Sequence, residues 1–207
     1  SIGPTTPASL RLNAQGRVDT MIGDTRVLFD GIPAPMIYAA SRIVSCVVPY
    51  ALANRAFTSL QVEYLGVRSP AVTVRVSQTS PGIFTLNSTG SGPGAILNQD
   101  NSINGPNNPE AKGSYIVIYA TGEGQTIPPG IDGAVIGANP PQPIQRVTVT
   151  IGGQAAEVLY AGSAPSFVAG VLQINARIPE SVGSGPQQVV VNAGNASSQP
   201  GVTVSVR

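Results

Sequence analysis

The chain has 207 residues, enough for one large domain or two of about 100 residues that each bury a core. Its net charge is +1, from ten scattered arginines, the single Lys112 and ten acids, with no histidine; this excludes the clustered basic footprint of a nucleic-acid binder, and Ser-His-Asp triads and imidazole metal sites with it. With 42% hydrophobic residues but only 10% charged, 24 Gly and 19 Pro, the chain reads as a folded protein of short elements, a profile common among secreted and surface β-proteins, and no apolar run approaches the ~20 residues that insert across a membrane as a helix.

The opening "SIGPTTPASL" lacks a basic start followed by an apolar core, so no signal peptide is expected in it, and the chain is expected to be a piece of a longer protein. From residue 29 the sequence says one thing twice. "FDGIPAPMIYAAS" (29–41) returns as "IGGQAAEVLYAGS" (151–163). "RIVSCVVPYAL" (42–52) then pairs with "LQINARIPESV" (172–182), aligning Pro49 with Pro179, and "SPAVTVRV" (69–76) pairs with "QPGVTVSV" (199–206). The second copy carries an insertion, "APSFVAGV" (164–171). Repeats of this length are duplicated domains rather than solenoid units.

Within each copy the apolar period is two. Val147, Val149 and Ile151 alternate with Arg146, Thr148 and Thr150, and a Gly-Gly turn leads into "AAEVLYAG", a hairpin signal. Leu172, Ile174, Ala176 and Ile178 share one face of a strand that stops at Pro179, because proline cannot donate to a ladder. The last hairpin turns around Ala193–Ser198. Between the copies, "SPGIFTL" (80–86) and "GAILNQDNSI" (94–103) read as short strands, and "GSYIVIYATGEG" (113–124) as a central strand with Ile116, Ile118 and Ala120 on one face. The stretch 127–143 is a long Pro- and Gly-rich loop.

Short strands, frequent turns and no amphipathic helix predict an all-β fold of two tandem antiparallel β-sandwiches. The first is expected over 1–78 and the second over 113–207, with a β-rich connecting segment at 79–112 packed on, or part of, the second domain.

The lone Cys46 has no partner for an internal disulfide, which suits bacterial export. It aligns with Ala176 on the inward face beside Val44 and Val48, so it reads as a small buried hydrophobe. Tyr38 and Tyr160 are equivalent, and Tyr115 and Tyr119 share a strand face; core positions are the expectation, and an exposed row would instead suit stacking on sugar rings. "NST" (87–89) and "NAS" (195–197) match the N-glycosylation acceptor, a short and common pattern that a bacterial protein would carry by chance.

The sharpest local pattern is "DNSINGPNNPE" (100–110). Asp100, Ser102 and Asn104 at alternate positions, followed by Gly105, mimic the start of a calcium loop, with Glu110 next to the position where a bidentate acid belongs. The competing reading is a plain turn, which Asp, Asn, Ser and Gly favour for backbone reasons of their own. No catalytic residue is assigned.

The ordered series "DGIPAPMIY", "SPGIF", "LNQD", "YATGEG", "VTIGG" and "SSQPGVTVSV" resembles the uncharacterised C-terminal domain family of large exported acidobacterial proteins, the Solibacter type, over residues 25–206. Each half is also similar to the immunoglobulin-like IPT/TIG (E-set) fold. The resemblance implies tandem immunoglobulin-like sandwiches in a non-catalytic extracellular or cell-surface module, structural or adhesive. It would partner other domains of its parent protein and a surface protein or glycan, with no nucleic acid and no membrane insertion. The alternative is a carbohydrate-binding module, for which calcium at Asp100, Ser102, Asn104 and Glu110 would be an accessory.

Overall fold

The computed structural model describes all residues from Ser1 to Arg207. The chain is all-β; its single helical turn is a 3₁₀ turn, Tyr50–Leu52, and no helix is long and apolar enough to cross a membrane. Two units are resolved. Unit 1 comprises Ser1–Gln78, Pro129–Asn139 and Pro165–Gly170; unit 2 comprises Thr79–Pro128, Pro140–Ala164 and Val171–Arg207.

Unit 1 holds β1 (Ala8–Ser9), β2 (Thr25–Phe29), β3 (Ile32–Pro33), β4 (Met36–Ala40), β5 (Ile43–Cys46), β6 (Phe57–Tyr64), β7 (Val67–Arg68) and β8 (Val72–Arg75). One sheet runs β1-β4-β5; the other runs β3-β2-β6-β7, with β8 also on β6. Ile22, Val27, Phe29, Ala34, Met36, Ala39 and Leu52 form the core. The β2–β3 turn places Asp30 and Gly31 at φ 51° and 82°, a region glycine enters freely and Asp tolerates. Asp30 holds that turn by accepting from the Ser59 amide (2.8 Å) and the Thr58 hydroxyl (2.9 Å) and pairing with Arg55 (2.7 Å). The two later segments are tied in by backbone and side chain: the Val18 amide donates to the Gly133 carbonyl (2.7 Å), the Tyr50 amide to Asp132 (2.8 Å), and the Ile136 amide to the Phe167 carbonyl (2.9 Å). The long loop predicted at 127–143 is therefore, through most of its length, part of unit 1.

Unit 2 holds β9 (Gly82–Ile83), β10 (Gly92–Pro93), β11 (Ile96–Leu97), β12 (Tyr115–Thr121), β13 (Thr126–Ile127), β14 (Gln142–Pro143), β15 (Val147–Ile151), β16 (Gln154–Ser163), β17 (Val171–Arg177), β18 (Gly185–Ala193), β19 (Ala196–Ser197) and β20 (Val202–Val206). Strand order is β10-β20-β18-β15-β16-β17-β12-β11, with β13 and β14 paired apart. The long β16 turns the corner: its first residues pair with β15 and Glu157–Ser163 pair with β17. The two arms close on one core, in which Ile116, Ile118, Leu172 and Ile174 of one arm meet Val149, Ile151, Val191 and Val204 of the other. The inward set expected on β17, Leu172, Ile174, Ala176 and Ile178, is fully buried.

The sequence repeat is realised in register. Met36 lies opposite Cys46 and Tyr38 opposite Ser45, with a bulge between; Val158 lies opposite Ala176 and Tyr160 opposite Asn175, with the same bulge. The Val62 amide donates to the Ser69 hydroxyl at 3.0 Å, as the Val191 amide does to the Ser198 hydroxyl at 3.0 Å, so the structure matches Ser69 with Ser198, one residue before the Gln199 that the sequence alignment gives it.

One expectation is corrected. Ala176 and Ile178 are buried in unit 2, but their counterparts in unit 1 are not: Cys46 is only half-buried and Val48 is 54% exposed. The cause is local. In unit 2, β17 is flanked by β12, and β20 by the parallel strand β10. In unit 1 the corresponding β5 and β8 are edge strands with one neighbour each.

Candidate functional site

In unit 2 the segment 98–110 folds into a polar depression whose wall includes Asn98, Asp100, Asn108, Glu110 and Arg207. The local chain turns at Asn101, whose φ of 66° is a conformation that asparagine adopts more readily than most residues. Asp100 Oδ1 accepts from both the amide (2.9 Å) and the hydroxyl (2.5 Å) of Ser102. These two bonds, the hydroxyl's foremost, hold the exposed Asp100 carboxyl below its ordinary range.

The structure separates the four residues of the calcium-like pattern into two structural tasks. Asp100 and Ser102 bond to each other and close the turn. Asn104 is buried and aims elsewhere: its Nδ2 donates to Asn98 Oδ1 (2.8 Å) and to the Ser205 carbonyl (2.9 Å), while its Oδ1 accepts from the Ser205 amide (2.7 Å). A side-chain amide thus imitates a strand neighbour along β20. Glu110 is also buried; Oε2 accepts from the Gln99 amide and Oε1 from the Ala111 amide, both at 2.7 Å, and its backbone bridges to Val206 in parallel. Around them Asn98 Nδ2 reaches the Asn108 carbonyl (3.0 Å), and Asn108 Nδ2 reaches the Ser102 hydroxyl (2.8 Å) and the Ile103 carbonyl (2.9 Å). No three His, Cys, Asp or Glu side chains converge closely enough to hold a metal ion.

Tyr115, at the edge of this network, donates from its hydroxyl to the Gln99 carbonyl (3.4 Å). Tyr38, Tyr115, Tyr119 and Tyr160 are all half-buried, neither core residues nor an exposed row. The Tyr160 phenol is raised by burial first and by Glu123 second.

Sequence reading missed one charged cluster, in unit 1. Glu63 accepts from Arg26 (2.6 Å) and from Arg68 (2.8 Å), and the Arg68 bond foremost holds its carboxyl below the usual value. The three side chains meet because Arg26 lies opposite Glu63 across β2–β6, and Arg68 opposite Glu63 across β6–β7. Alternation along either strand gives the face of each residue but not the register between strands, so this trio had no linear signature.

No family model matches the chain, and no curated protein matches it. Among solved structures, domains 4–9 of the surface-layer protein SbsC are similar at 16% identity and a TM-score of 0.24, over 96% of this chain and 25% of that one. The chain spans about a quarter of that protein's solved length.

Proposed function

We propose that this chain is a non-catalytic structural or adhesive module that acts outside a bacterial cell, built as two tandem immunoglobulin-like sandwiches of the IPT/TIG type and related to the Solibacter-type domains that its motifs resemble. One observation carries the reading: the polar groups that look most like a ligand site are spent on folding. Asn104 and Glu110 each engage two or more backbone groups and fasten the 98–110 loop to β20 and to itself. The matched bulges and matched serine bonds of the two halves support descent from one duplicated sandwich. The absence of histidine leaves the common nucleophilic triads without a base.

A thermal melt with millimolar calcium, and then with a panel of plant and bacterial polysaccharides, tests this. A ligand at a hundred times its Kd that binds only the folded state adds about 2.7 kcal/mol, a midpoint rise on the order of 10 °C for a unit of this size. The expected result is no shift with any of them. A rise with calcium restores Asp100, Ser102, Asn104 and Glu110 as a metal site; a rise with one glycan makes the chain a carbohydrate-binding module.

A further inference from the structure

Asn104 is the only asparagine of this chain that glycine follows. The pair carries a latent reaction of its own, because glycine has no side chain to shield its backbone nitrogen from the side-chain carbonyl of the residue before it. The fold does not require that glycine. A β-carbon at 105 would meet nothing within 4 Å, and the φ of Gly105 lies outside the left-handed region in which Gly113 and Gly122 are held. Pro106, next in the chain, favours an extended residue before it, and alanine adopts that conformation readily.

In the folded chain both reacting groups are engaged. The Gly105 amide donates to the Asn108 carbonyl (3.3 Å), and the Asn108 amide donates back to the Gly105 carbonyl (2.9 Å), closing a turn around Pro106 and Asn107. The Asn104 amide donates to the Ile96 carbonyl (3.0 Å). Its side chain is fixed as well: Nδ2 is held by Asn98 Oδ1 and the Ser205 carbonyl, while Oδ1 holds the Ser205 amide. Attack therefore requires Gly105 to leave Asn108 and Asn104 to leave β20, so reaction and opening of the loop are one event.

We propose that Asn104–Gly105 is a self-modification site that the fold keeps silent, and that it reacts only when the 98–110 segment lifts from β20, making that opening irreversible. In the open loop, base removes the Gly105 amide proton and the nitrogen bonds to Cγ of Asn104. The Cγ–Nδ2 bond breaks, and Nδ2 takes up a proton and leaves as ammonia. The product is a cyclic succinimide. Water then adds at one of its two carbonyls: cleavage of the new N–Cγ bond leaves aspartate, cleavage of the original peptide bond leaves isoaspartate, and nothing is oxidised or reduced. Neither product restores the lock. A carboxylate has no donor for Asn98 Oδ1 or the Ser205 carbonyl, and isoaspartate adds a methylene to the backbone, which shifts Gly105 out of register with Asn108. Glu110 fastens the same end of β20, its amide donating to the Ser205 carbonyl (3.0 Å) and its carbonyl accepting from the Arg207 amide (2.8 Å), so the reaction removes one of two neighbouring attachments. The inference rests on the structural role of Asn104 and not on where the protein works.

The test holds the full chain in mildly alkaline buffer, folded and in denaturing guanidinium chloride, and reads residue 104 by peptide mapping for aspartate and isoaspartate. The three side-chain bonds of Asn104, at ordinary strength, correspond to about a hundredfold, so conversion is expected to be slower by that factor or more in the folded chain. In denaturant, Asn104 is expected to convert before every other asparagine, and the converted chain to melt below wild type after the denaturant is removed. The Gly105→Ala chain separates the chemistry from the fold: it is expected to melt at or above the wild-type midpoint, and to keep its Asn104 through an exposure that converts wild type. Conversion of the folded chain at the rate seen in denaturant would overturn the guarding by the fold. A converted chain that regains the wild-type midpoint would overturn the irreversible loss of the lock. Loss of Asn104 from the denatured Gly105→Ala chain as fast as from wild type would overturn the Gly105 nitrogen as the attacking group.

Discussion

Replacing Asn104 with alanine separates a folding residue from a calcium ligand. The side chain makes three hydrogen bonds within a buried setting, two to Ser205 and one to Asn98. Its loss strands the Ser205 amide in β20 and Asn98 Oδ1, and leaves the Ser205 carbonyl with only the Glu110 amide (3.0 Å). At about 1 kcal/mol net for each bond, N104A should lose about 3 kcal/mol, and more where water cannot reach the stranded groups. For a unit of roughly a hundred residues, that corresponds to a midpoint fall of about 12 °C or more. N104D should be at least as damaging at neutral pH, since a carboxylate oxygen would then face the Ser205 carbonyl and Asn98 Oδ1 in place of a donor. The assay is urea and thermal unfolding followed by circular dichroism, with and without calcium. A loss under 1 kcal/mol for N104A, or an N104D protein made more stable than wild type by calcium, would refute the structural assignment, because added charge in a calcium loop raises affinity.

Ser198→Ala should cost about 1–3 kcal/mol by leaving the buried Val191 amide without its acceptor; Ser69→Ala, at the half-buried counterpart, should cost less, and paired urea titrations give the order. Ile118→Ala, in the fully buried centre of β12, should cost about 2–5 kcal/mol through the cavity it leaves, with no change in the urea slope. Burial pushes the Cys46 thiol up to about 11, so its alkylation rate should rise nearly tenfold per pH unit from pH 8 to 10 rather than level off near 9. The same shift means that the unfolded thiol ionises first, so stability should fall as pH rises from about 9 towards 11. Glu63→Gln should destabilise unit 1 at neutral pH, where the depressed carboxyl is charged between Arg26 and Arg68, and the difference from wild type should shrink as pH falls below the ordinary carboxylate range and through the depressed value, where Glu63 itself takes up a proton; chemical denaturation from pH 7 to pH 3 measures this.

What could be read from the residues alone was whatever repeats at short range. Alternation of Val147, Val149 and Ile151, or of Leu172, Ile174, Ala176 and Ile178, follows from a backbone that turns successive side chains to opposite faces, and the all-β class came with it. The two copies were visible because a duplicated unit keeps the same inward positions, and their alignment matched the strand pairing down to the bulge beside Tyr38 and Tyr160. Side-chain partners at long range were not visible. Asn104 bonds to Ser205, and Glu63 is held by Arg26; neither distance along the chain nor residue type announces such pairs. For the same reason the pattern at Asp100, Ser102 and Asn104 read alike as a metal loop and as a turn, since the residues that close a turn are those that ligate calcium. The tertiary structure alone decided that 129–139 and 165–170 belong to unit 1, and that Val72 and Val74 lie open where Val202 and Val204 are sealed. The sequences "VTVRV" and "VTVSV" are nearly the same; their burial differs because burial belongs to the neighbour a strand acquires, and only one of the two has a strand on each side.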